Sequence, residues 1–143
     1  MRYINIMLIL LFAITCSKNE DQMLSVTPEV IKLLEALKAK KKFTKDSALV
    51  YFGAPNEPDR VKAEGIINEA LSRIIEGASS KGITEKQFWK ELEIAAKQLS
   101  DMDSEEMDRG LSYMEDIMDI FGIKSSGGRL NKWRYGFDPE KAQ

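Results

Sequence analysis

The chain has 143 residues, with 21 Lys and Arg against 23 Asp and Glu, one cysteine and no histidine. A net charge of −2 argues against the basic face that phosphate-backbone binding requires, so no nucleic-acid partner is expected. The lack of histidine removes the commonest general base and transition-metal ligand. A single cysteine closes no internal disulfide, so stability has to come from an apolar core.

The N-terminus reads as an export signal. Arg2 supplies the positive start, and Ile6-Met7-Leu8-Ile9-Leu10-Leu11-Phe12-Ala13-Ile14 is an apolar run too short for a bilayer, which takes about 20 residues. Ala13-Ile14-Thr15-Cys16 resembles a relaxed bacterial lipobox, with small residues at Ala13 and Thr15 before the cysteine. Ser17-Lys18-Asn19-Glu20-Asp21 looks like the polar, acidic leader of many lipoproteins. The resemblance implies a signal peptide over 1–15, lipidation at Cys16, a polar tether over 16–26 and a membrane-anchored place in the cell envelope. Each buried acyl methylene contributes about 0.8 kcal/mol to such an anchor.

Thr27-Pro28-Glu29 opens a first helix with a capping hydroxyl, proline at the first turn and an acid near the positive end. Val30, Leu33, Leu34 and Leu37 carry its helical spacing, and Lys38, Lys40, Lys41 and Lys42 load its end, so it is expected over 28–42. The run Ala48-Leu49-Val50-Tyr51-Phe52 has some β character but no partner strand, which predicts an irregular packed connector. Asn56-Glu57-Pro58-Asp59 starts a second helix with Ala63, Ile67, Ala70, Leu71, Ile74 and Ala78 on one face, widened by Ile66 and Ile75. Thr84-Glu85-Lys86-Gln87 is a capping box launching a third helix, striped by Phe88, Leu92, Ala95, Ala96 and Leu99. Ser104-Glu105-Glu106 begins a fourth, striped by Met107, Leu111, Met114, Ile117, Met118 and Phe121 and closed by Gly122. The expected fold is all-α: a single four-helix bundle-like domain over 27–139, an aromatic tail packed on it and a disordered end over 140–143.

The chemistry-bearing patterns are sparse. Glu105, Asp108, Glu115 and Asp119 form an acidic stripe read as a solvated face, with Arg109 pairing to Glu105 at i+4. Ser125-Ser126-Gly127-Gly128 reads as a hinge, not a phosphate loop, because it follows a helix. A Ser-His-Asp arrangement is impossible, and nothing in the spacing of Glu93, Glu106 and Asp116 demands that they converge. Met107, Met114 and Met118 read as core, with an adaptable lipid cavity as the rival reading. Neither a cofactor nor a metal is expected. Trp133-Arg134-Tyr135-Gly136-Phe137-Asp138-Pro139 concentrates three aromatics after the glycines, either to seal one end of the bundle or to serve as an interface anchored by Trp133, Arg134, Tyr135 and Phe137.

With Leu130-Asn131-Lys132-Trp133, that tail resembles the closing motif of a family of small bacterial helical proteins of unknown function. The resemblance implies an all-helical fold over 27–139 and no catalytic residues to carry over. The expected function is therefore a non-enzymatic, lipid-anchored module that binds another envelope protein. An immunity protein against an envelope toxin or hydrolase, and a small-ligand or lipid carrier, stand as alternatives.

Overall fold

The computed structural model describes residues 21–139. The expected signal over 1–15, the expected lipidation site Cys16 and the expected disordered end over 140–143 lie outside the described residues. Among the described residues five helices follow one another: α1 (Pro28–Ala39), α2 (Glu57–Ser80), α3 (Glu85–Leu99), α4 (Ser104–Ile120) and α5 (Arg129–Tyr135). No helix among these residues is long and apolar enough to cross a membrane.

Each long helix starts where its sequence provides a cap. Thr27 accepts from the Val30 amide, Asn56 from Asp59, and Thr84 from Gln87, whose own side chain returns to the Thr84 amide. At the end of α4, Gly122 is left-handed (φ +71°). The Gly122 amide donates to Asp119 and the Ile123 amide to Met118, a Schellman closure of otherwise unpaired carbonyls.

The longest helix, α2, packs against α1, α3 and α4, while α5 lies on α3 and α4. Ile67, Leu71 and Ile74 from α2 meet Leu34, Phe88, Leu92, Leu99, Met114 and Ile117 in one continuous core. Burying each such side chain contributes about 1.5–3 kcal/mol. A Cβ at Gly110 would strike the Leu99 side chain, so this glycine sets how closely α4 approaches α3. Met107, Met114 and Met118 sit in the core cluster as expected.

Several expectations are corrected. The first helix stops at Ala39, not at residue 42, and Lys42 turns inward to full burial. The tether is docked at its end: Leu24 donates to the Ile83 carbonyl (2.9 Å) and Glu85 to the Gln22 carbonyl (2.8 Å). The run over 48–52 is the irregular packed connector expected; Asp46 and Tyr51 exchange two backbone bonds in a single tight bridge. A fifth helix, unforeseen in the four-helix expectation, forms part of the tail. Gly127 and Gly128, read as a hinge, are both left-handed (φ +60° and +83°) and start that helix. The tail then folds back, so that a Cβ on Gly128 would collide with the Asp138 carboxylate.

Candidate functional site

The connector between α1 and α2 carries a dense set of polar contacts. Asp46 begins a tight reversal by accepting the Ala48 amide (3.0 Å). Val50 completes the reversal with φ +53°, a conformation in which a β-branched residue is strained. Side-chain direction then alternates. Tyr51 points inward and is buried, whereas Leu49, Val50 (76% exposed) and Phe52 (83% exposed) face solvent.

Tyr51 donates its hydroxyl to Glu106 Oε1 (2.9 Å), a carboxylate on α4 with only 2% exposure. Burial, and then the Glu106 carboxylate, hold the Tyr51 phenol well above its usual value, with Arg109 opposing. Arg109 lies over the Tyr113 ring (4.4 Å) and beside that of Tyr51 (5.9 Å), and donates to Asp46 Oδ2 (3.0 Å). Its partner is therefore Asp46, not the expected Glu105. Tyr113 accepts the Phe43 amide (3.1 Å), so α4 grips the connector at three points. Sequence reading missed Phe43, Tyr51, Glu106 and Tyr113 as a unit; the only trace was a carboxylate and a tyrosine interrupting the apolar face of α4.

A surface cleft of about 270 Å³ beside this network is lined by Leu49, Val50, Asp108 and Arg109, among others. Asp108 binds Arg134 of α5, and Arg134 also lies over the Tyr135 ring (5.3 Å). Tyr135 and Phe137 are 56% and 55% exposed, with ring centroids 6.4 Å apart. Apolar side chains thus flank an ion pair on both sides, along one face made by the connector, α4 and the tail.

The four predicted tail residues divide. Arg134, Tyr135 and Phe137 belong to this face. Trp133 instead packs inward on Trp89 (6.3 Å, 62°), extending a row of edge-to-face rings through Phe88 to Phe121. Trp133 thus seals the bundle, while Tyr135 and Phe137 stay exposed.

The carboxylates considered as a catalytic set are not brought together. Glu106 and Asp116 stand ten residues apart on α4, about 15 Å along its axis, and Glu93 lines a cleft between α3 and α5. Burial raises the Asp116 carboxyl above its ordinary value, with Arg109 and Lys40 opposing. Among the described residues no group of three or more Cys, Asp or Glu is placed to hold a metal ion.

The model of a domain of unknown function, DUF4844, matches residues 25–138. The chain belongs to that family. A crystal structure of a DUF3571 family protein from Acinetobacter baumannii AYE, at 1.95 Å resolution, is similar to this DUF4844 chain with a TM-score of 0.66. The two share 30% sequence identity over 75% of this chain and 89% of that one. No match is found among curated proteins. Membership of DUF4844 agrees with the expected kinship to an uncharacterised family and assigns no activity.

Proposed function

We propose that this DUF4844 protein is a non-enzymatic protein-binding module, held at the cell envelope by lipid on Cys16, that docks a second envelope protein on the connector–tail face. The observation that carries the reading is the set Leu49, Val50, Tyr135 and Phe137, four large apolar side chains left exposed around the Asp108–Arg134 pair. Exposed apolar groups grouped about a polar contact mark interaction sites, and Tyr and Arg lead the residue types that dominate interface energies. Placement at the envelope is supported by the signal-like run before Cys16.

The test is quantitative capture from solubilised envelope with tagged full chain as bait, comparing wild type with the double variant Leu49→Ser/Tyr135→Ser. One stoichiometric protein is expected on the wild type and at least tenfold less on the variant, with thermal unfolding little changed because both residues are exposed. Equal capture by both chains, or none by the wild type, would remove the proposal.

A further inference from the structure

We infer that the cleft between α3 and α5 is a binding site for a small phosphate monoester with a flat or apolar body, separate from the connector–tail face. The cleft holds about 690 Å³, within the range of roughly 300–1,000 Å³ usual for small-molecule sites. Its walls carry Lys86 and Lys90 from α3 and Lys132 from α5, with Glu93 as the carboxylate among its lining residues. None of the three lysines has an ion pair among the described residues.

Local stability does not explain this grouping. Lys86 and Lys90 stand at i and i+4 on one helix, where like charges repel by a few tenths of a kcal/mol, and Lys132 adds a third ammonium across the cleft. Arg129 is already engaged, its guanidinium stacked 4.7 Å over the Trp89 ring. Counting Arg129, the lining sets four cations against the single carboxylate Glu93, an excess of positive charge that a phosphate monoester of about −1.5 to −2 at neutral pH meets better than a single carboxylate does.

The rest of the lining suits the organic part of such a ligand. Trp89 is buried, its indole N–H donating to Glu85 Oε1 (3.0 Å) and its ring lying under Arg129, so the half-buried Trp133 beside it presents the accessible indole surface. The Trp133 surface next to cations accepts a planar or apolar group, while ammonium groups fix the anionic end.

Trp89 and Trp133 are the chain's two tryptophans, so intrinsic fluorescence reads this cleft directly. Full chain in non-ionic detergent would be titrated with phenyl phosphate, with phenol as the uncharged control. A parallel titration uses dihexanoyl phosphatidic acid, with the matching phosphatidylcholine as control, to separate a lipid headgroup from a free phosphoester. The expected result is a saturable change with at least one of the two phosphates. Lys90→Gln/Lys132→Gln should weaken it tenfold or more, and Lys97→Gln, elsewhere on α3, should leave it intact. A response to phenyl phosphate assigns a free phosphoester, and one confined to phosphatidic acid assigns a headgroup. No saturable response to either, a response equalled by the uncharged or zwitterionic control, or unchanged affinity in the double-lysine variant would overturn the assignment.

Discussion

Residues 81–84 join α2 to α3 and residues 40–56 join α1 to α2, and the two links reach order by opposite routes. In the short link every residue follows its local preference. Gly82 takes the left-handed turn (φ +84°), Ile83 is buried, and Thr84 and Gln87 cap the next helix. In the long link local preferences are broken repeatedly. Lys42 is fully buried, Phe43 and Val50 are left-handed at φ +56° and +53°, and three large apolar side chains face solvent. What holds it is distant: Tyr113, Glu106 and Arg109, all on α4. Where a chain violates local rules and leaves apolar surface exposed, function is the physical reason to look for.

The largest expected effect breaks the long link at its root. Phe43 is fully buried, edge-on to Tyr113 at 5.2 Å, so Phe43→Ala should destabilise the fold by about 3–4 kcal/mol. In the short link Thr84→Ala removes one cap and should cost about 1 kcal/mol. Urea unfolding of both variants decides the matter. A smaller loss at Phe43 than at Thr84 would mean that the long link is not anchored in the core.

The same contrast explains what was legible in the sequence. Caps at Thr27, Asn56 and Thr84 and the glycine after α4 are written in adjacent residues, so the four long helices could be placed from pattern alone. Lys42 could not. A lysine run after a helical stripe reads as a charged terminus, and its burial depends on Asn68 and Glu64, more than 20 residues away. The Tyr51–Glu106 pair spans 55 residues, and no local period encodes it. The tail was half legible, because three aromatics announce burial or binding without saying which ring does which. Trp133 turned to Trp89, and Tyr135 and Phe137 stayed out.

Lys42 gives the comparison a pH signature. Its ammonium donates to the carbonyls of Lys38 (3.1 Å) and Lys40 (2.8 Å) and to Asn68 Oδ1 (2.8 Å), finishing α1 from inside. Burial lowers its pKa from 10.5 to about 8 against the pull of Glu64, with Lys40 adding to the fall. Between those values the unfolded chain holds a proton that the native chain has released, so stability should rise as pH climbs from about 8 toward 10.5. Tyr51 acts in the opposite sense above about pH 10, since its phenol stays protonated in the fold after the unfolded chain has lost the proton. Denaturation midpoints between pH 7 and 9.5 isolate the lysine. The wild type should show the rise and Lys42→Met should flatten it; an identical slope in both would assign the pH dependence elsewhere.

The smallest effect is the sharpest for function. Val50 holds a left-handed backbone that costs a side-chain-bearing residue about 1–2 kcal/mol, and at 76% exposure its isopropyl group recovers little of that by burial. Asn tolerates this conformation far better, so Val50→Asn should stabilise the protein by about 0.5–1 kcal/mol and raise Tm by a few degrees. The same substitution takes an apolar side chain out of the connector–tail face and should weaken capture of the proposed partner. Gain in stability with loss of binding is the combination expected of strain kept for recognition. A variant that is less stable than the wild type would show that the turn is not strained. One that is more stable and binds as well would show that Val50 is dispensable to the face, leaving Leu49, Tyr135 and Phe137 to carry it.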